Sequence, residues 1–363
     1  MTGEADEATE TFVSGRAQAV AWQRIEAELS TLWRKAAERD PERVLMRACL
    51  WNLLALAPAG HLAMERYRSL VDRVTADVPC RVIGICENES QLELAAYVEA
   101  NWRTHGSVQN GSDEVLLVGH ETLRPRLESL ARSLLVPDAS VALYVDGRPS
   151  LERVRRMAQG IDRLILDSRQ LESSADLSTI ADLVAQHPNL DVADLAWLGI
   201  GPLRSVVASL FDRTDAAAEL RAITRIEVTA GVPGLAPRAL LFLGWLGSRL
   251  GFSLPERLPT RSDGVHRWRT SAPDGRSITL ALDRQVVRGH GVVAVELAAG
   301  ERCWHIRREE PGLYISAPGT PDRVQPTRRH ADPDLVIAAL GTRGADRLYR
   351  PALAWAAALN EGA

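Results

Sequence analysis

The stretch 239–250, ALLFLGWLGSRL, constrains this chain more than any other. Leu240, Leu241, Phe242, Leu243, Trp245, Leu246 and Leu250 put apolar side chains on every face of a helix. Such a helix has no side to turn to water and belongs inside a core. Gly251 follows it as a natural left-handed C-terminal residue. The chain has material for the surrounding layers: 363 residues, 46% hydrophobic, suit two domains of ordinary size.

Upstream the pattern is α/β. Residues 1–14 are polar, and 15–39 read as a helix with Val20, Ile25, Leu29, Leu32 and Trp33 in a loose stripe. The apolar run 44–57 reads equally as strand or helix by periodicity; with its second half as a strand, the helical spacing of 64–75 and the β-branched run 78–86 would complete a strand–helix–strand unit, normally right-handed. Strands are expected at 92–102 and 114–118, forming a hairpin across the turn-rich residues 104–113. Further strands fall at 141–145 and 164–166, with helices at 123–135 and 151–157. The expectation is an N-terminal helix and tail over 1–40 and an α/β domain with an open mixed sheet over 41–170.

A helix at 176–186, with Asp176 and Ser178 as caps, opens the rest. A strand at 222–229 precedes the apolar helix. From residue 265 short alternating runs are separated by APDG, RGHG, AAGE and EPG, the signature of an antiparallel meander. Helices at 333–340 and 345–359 close the chain. This predicts an α+β C-terminal domain over 171–363.

Between the two kinds of sequence lies 191–212, DVADLAWLGIGPLRSVVASLFD. Leu203, Val206, Val207, Leu210 and Phe211 recur at helical spacing behind a glycine-proline turn. Pro202 suits a first helical turn, where its missing N–H would be unpaired anyway. The segment is a connector with one core-facing helix.

Motifs of chemistry are few. Lys plus Arg total 43 and Asp plus Glu 47, a net charge of -4 that lacks the basic domain of a nucleic-acid binder. Cys49, Cys80, Cys86 and Cys303 are widely spaced with no C-x-x-C, so reduced thiols are expected. The acidic N-terminus has no signal core and no run is long enough to span a membrane, which predicts a cytoplasmic protein. Residues 199–204, GIGPLR, begin like a dinucleotide loop but lack the final glycine, and Pro202 removes a phosphate-facing N–H. There is no phosphate-binding P-loop, no G-x-S-x-G and no H-E-x-x-H. The sequence therefore predicts no catalytic residue, no cofactor and no metal.

Candidate binding residues remain. Asp191 and Asp194 stand three apart, either as an acid–base pair or, more commonly, as caps on backbone N–H groups. Asp167 and Ser168 follow the strand at 164–166, where an open α/β sheet has its ligand crevice. Trp197 and Arg204 belong to the connector. A cation in the first turn of a helix opposes the helix dipole. Arg204 thus either points into water or is offset by Asp191, Asp194, a bound phosphate or a partner's carboxylate.

Together LILDS at 164–168, the connector 191–212 and RALLFLGWLGSRLG at 238–251 resemble the OpcA family, over roughly residues 43–358. The resemblance implies an assembly or allosteric activating factor for glucose-6-phosphate dehydrogenase in the oxidative pentose phosphate route. It would be non-catalytic, with that enzyme as partner and neither nucleic acid nor membrane. Two departures stand out. The family's paired tryptophans after L-P-D are Leu143 and Tyr144 here. Its pivot D-L-x-W-x-R-L followed by W-R has Gly199 in place of the arginine and Leu203 before Arg204. The alternative is a sugar-phosphate-binding sensor or enzyme, with a ligand between the domains near Asp167, Trp197 and Arg204.

Overall fold

The runs that read as strands pair into two mixed sheets flanked by helices, an α/β fold. The computed structural model describes residues 12–14, 17–39, 44–46, 49–57, 61–105, 108–147, 150–170, 175–212, 216–231, 236–259, 264–284, 291–327, 330–342 and 344–360. Two units emerge. One comprises Met1–Leu166, Leu190–Val192 and Ala331–Gly344; the other comprises Asp167–Asn189, Ala193–His330 and Ala345–Ala363.

In the first unit the elements are β1 (Phe12–Ser14), β2 (Gln18–Val20), α1 (Ile25–Arg39), β3 (Val44–Met46), β4 (Trp51–Ala57), α2 (His61–Asp77) and β5 (Cys80–Glu87). They continue as β6 (Ala95–His105), β7 (Val108–Gly119), α3 (Arg124–Ser133), β8 (Ser140–Val145), α4 (Leu151–Met157) and β9 (Arg163–Leu166). β10 (Asp191–Asp194) ends the sheet, whose order is β1-β6-β7-β5-β4-β8-β9-β10. β4 and β5 are buried on both faces, as near-continuous apolar runs in parallel strands must be. Leaving aside the added hairpin strand β6, the strands β7-β5-β4-β8-β9-β10 stand in the order 3-2-1-4-5-6 of doubly wound dinucleotide folds.

The expected hairpin forms, but its strands run far into the stretch whose composition suggested a turn. β6 and β7 pair from Ala95 opposite Val118 to His105 opposite Val108. Ser112 and Asp113, the polar side chains of that stretch among the described residues, are buried rather than solvated. Asp113, 4% exposed, accepts from Arg81 Nε at 3.0 Å and Nη2 at 2.8 Å, and from the Trp33 indole. Gly111 is required because the Trp33 ring fills its side-chain space: a Cβ there would lie 1.8 Å from Trp33 Cη2.

The second unit holds α5 (Ala175–Gln186), α6 (Leu195–Gly199), α7 (Gly201–Leu210), α8 (Ala216–Arg221), β11 (Arg225–Ala230) and α9 (Pro237–Leu250). Its sheet adds β12 (Glu256–Arg257), β13 (His266–Ser271), β14 (Ser277–Arg284), β15 (Val292–Ala299), β16 (Arg302–Glu309), β17 (Gly312–Ala317) and β18 (Thr320–Pro326). α10 (Asp332–Gly341) belongs to the first unit, where it packs on α2, and α11 (Tyr349–Asn360) to the second.

This sheet departs from a plain meander. β11 enters its middle, parallel to β14 and antiparallel to β15, with β15 to β18 continuing antiparallel. Ile226, Val228 and Ala230 are fully buried on one face of β11, and α9 packs on it. α9 is buried continuously from Ala239 to Gly247 and ends at Gly251 with φ 67°. It meets α11 at glycine notches: a Cβ on Gly244 would lie 2.2 Å from Ala352 O, and one on Gly247 2.4 Å from the Trp355 ring. Ser178 lies inside α5 rather than capping it; the side chain of Asp176 lies outside the described residues.

Candidate functional site

The connector folds as two short helices hinged at Ile200. Asp194 ends β10 and caps α6, accepting from Ala196 N at 2.9 Å and Ser168 N at 3.1 Å. The Tyr349 hydroxyl donates to its other oxygen at 3.2 Å. Asp194 is wholly buried; that burial, with the charge of Asp167, pushes its pKa up to about 6. Asp167, 7% exposed, is held by Arg169 through Nε at 2.7 Å and Nη2 at 2.6 Å. Ser168 is fully buried beside it.

Trp197 is also buried. Its ring lies tilted against Tyr349 with centroids 5.7 Å apart, and its Nε1 donates to Asp346 at 2.7 Å. Above the ring sits the Arg204 guanidinium, 3.5 Å from the centroid. Burial lowers the Arg204 pKa to about 10, against the opposing pull of the Asp346 charge. Its Nε has no acceptor among the described residues. Desolvating a guanidinium over an aromatic face is a recognised cation–π arrangement.

Asp167, Ser168, Asp194, Trp197 and Arg204 thus fall in one neighbourhood of the second unit, but four of the five are buried and only Arg204 reaches solvent. Asp194 engages inward hydrogen bonds as a cap does. Asp191 pairs instead with Arg163, so the two carboxylates do not face a common substrate. The counter-charge nearest Arg204 is Asp346, not either of them. No signal in the sequence marked it, since it lies 149 residues from the indole it binds. At Gly199 the Arg238 guanidinium lies close, with Nη2 2.5 Å from where a Cβ would stand, so a side chain there would displace the end of Arg238. The guanidinium of a residue on α9 thus takes space where the family pattern carries an arginine side chain.

Elsewhere, a cavity of about 370 Å³ in the first unit is lined by Arg81, Asp113, Cys49 and Cys80 among others. Arg81 spends its donors on Asp113, Glu26 and Leu134 O, and burial pushes both thiols up, away from reactivity. All four cysteines are free. Among the described residues no group of side chains is arranged to hold a metal, and no helix is long and apolar enough to cross a membrane.

The molecule is therefore a two-unit α/β protein whose connector polar groups are mostly turned inward around one stacked arginine. Residues 71–182 match the family model described as the glucose-6-phosphate dehydrogenase subunit N-terminal domain, and residues 190–353 match the model of that subunit's C-terminal domain. The chain belongs to the OpcA family. It is 26% identical over 222 residues to the OxPP cycle protein OpcA of Synechocystis sp., covering 59% of this chain and 46% of that one. To the OpcA of Synechococcus elongatus it is 23% identical over 345 residues, covering 86% and 76%. The chain thus spans less than half the length of the Synechocystis relative. Among solved structures it is similar to a mutant of KijD10, a 3-ketoreductase of Actinomadura kijaniata, at 11% identity and TM-score 0.47, covering 86% and 96%.

Proposed function

We propose that this chain is a non-catalytic assembly or allosteric activating factor for glucose-6-phosphate dehydrogenase, working in the cytoplasm on the oxidative pentose phosphate route. The observation that carries this is the pair of subunit-domain matches over residues 71–182 and 190–353. The contact falls at the connector, with Arg204 as its anchor and Leu348, 36% exposed, beside Asp346 as its apolar neighbour. A half-buried cation with no carboxylate in ion-pair contact among the described residues, already stacked on a fixed ring, suits the centre of an interface.

Two measurements test this. Purified protein with glucose 6-phosphate and either nicotinamide cofactor should give no reduced cofactor; robust reduction overturns the reading. Pull-down with the host's dehydrogenase should recover a complex and change its kinetics. Arg204→Ala should leave the melting temperature unchanged and weaken activation roughly tenfold, about 1.4 kcal/mol. Unchanged activation and unchanged stability would make the connector structural only.

A further inference from the structure

In a sheet of order 3-2-1-4-5-6, ligands enter outside the carboxyl ends of the strands, where the order turns back. Here that place lies between β4 and β8, with β5 on the far side of β4. Side chains from three surrounding strand ends meet there. Glu87 is the last residue of β5, Arg124 opens α3 after β7, and Arg153 lies in the first turn of α4 after β8. Glu87 accepts from Arg124 Nε at 2.7 Å and Nη2 at 2.8 Å, and Arg153 Nη1 lies 2.7 Å from the same carboxylate. β5 and β8 are two strand spacings apart, about 10 Å. The Glu87–Arg153 pair therefore reaches across the end of β4, beside the place where the strand order reverses.

Arg153 Nε donates to Glu128 at 3.0 Å, Glu128 also holds Arg156 at 3.3 Å, and Glu121 adds its charge to Arg124, so the three guanidiniums are matched by three carboxylates. Arg153 is only 9% exposed, yet its Nη2 has no acceptor among the described residues. Buried donors are ordinarily satisfied, and an idle one at a ligand mouth marks where an acceptor fits. An oxyanion suits it best, being the natural partner of a guanidinium. Hydrogen bonds from Arg124, with the charge of Arg153, hold the Glu87 carboxyl below the usual range, so it stays an acceptor. An acid at this strand end takes sugar hydroxyls in folds of this order.

We propose that this crevice binds a phosphorylated sugar, its phosphate on Arg153 and Arg124 and a hydroxyl on Glu87. A free sugar phosphate and the ribose phosphate of a nucleotide offer the same chemistry. The inference stands independently of any association with the dehydrogenase.

Calorimetric titration of the full chain with glucose 6-phosphate, ADP and inorganic phosphate, against chloride at equal ionic strength, tests it. Saturable binding of glucose 6-phosphate or ADP, tighter than inorganic phosphate, is expected; which one binds separates the two sources. Arg153→Gln leaves Glu87 on Arg124 and Glu128 on Arg156, and should weaken binding roughly tenfold or more. Glu87→Gln should keep phosphate binding and lose the preference for the sugar, a readout that holds even if the Arg153 variant folds poorly. No saturable heat with either sugar phosphate, equal affinity for inorganic phosphate, or unchanged affinity in Arg153→Gln overturns the proposal.

Discussion

Replacing Asp194 by Asn removes a titration and reverses one hydrogen bond, since the amide nitrogen takes the place of the oxygen that accepts from Tyr349. The carboxyl is wholly buried, and its pKa sits at about 6 rather than the ordinary 3.8. A folded-state pKa raised above the unfolded one means the native state holds the proton more tightly. The stabilising contribution is complete below the unfolded pKa and is lost as pH rises through about 6. A displacement from 3.8 to about 6 is worth about 3 kcal/mol. The amide oxygen of Asn can still accept from Ala196 N and Ser168 N. Urea unfolding at several pH values between about 4 and about 7.5 should show the variant gaining on the wild type by up to about 3 kcal/mol. Asp194→Ala is the control: it lacks the titration too, so its curve should run parallel to that of the Asn variant and about 2–4 kcal/mol below it, because two buried N–H groups are orphaned. If the wild-type and Asn curves run parallel across the range, the carboxyl titrates normally and the argument from burial fails.

Trp245→Ala should cost about 3–5 kcal/mol by denaturant unfolding, since the ring is 8% exposed and packs on Phe242; an unchanged midpoint would remove it from the core. Gly244→Ala should cost about 1–3 kcal/mol in the same assay, because its Cβ meets the Ala352 carbonyl at 2.2 Å; a stability equal to wild type would mean α9 and α11 sit further apart. Glu114, pushed up to about 8 by burial and by the Glu99 and Asp72 carboxylates, should make the protein lose stability as pH rises through about 8. Glu114→Gln should flatten that limb of the thermal stability profile; a limb of the same slope would refute the assignment.

What the sequence disclosed follows from the range over which each signal acts. Helix α9, its Gly251 terminus and the buried strand β5 were legible because burial on all sides imprints a dense apolar run; the run that holds β4 was equally dense but did not tell strand from helix. The connector helix α7 was legible for the same local reason. The extension of β7 through Gly111 and Asp113 was not, because polar residues near glycine read as turn unless their distant partners, Trp33 and Arg81, are known. The insertion of β11 between β14 and β15 is a choice of neighbours, and alternation along a strand carries no neighbour's name. In the candidate site, capping by Asp194 was readable as the common role of a carboxylate near a turn, whereas the short helix Leu195–Gly199 that it caps read only as an apolar piece. The roles of Asp346 and of Arg238 beside Gly199 were not, since both depend on contacts made across the fold.

The allocation of the last residues bears on how the chain is made. Ala331–Gly344 completes the first unit and Ala345–Ala363 the second. A ribosome delivers every strand of both sheets before either unit has its closing helix, and domains generally fold as units in the order they emerge. The side of α2 that α10 covers, and the notched side of α9 that α11 covers, stay open through most of synthesis. A nascent chain released early therefore carries two unfinished cores rather than one finished and one missing. Cutting the protein between its sheets cannot liberate an intact first half.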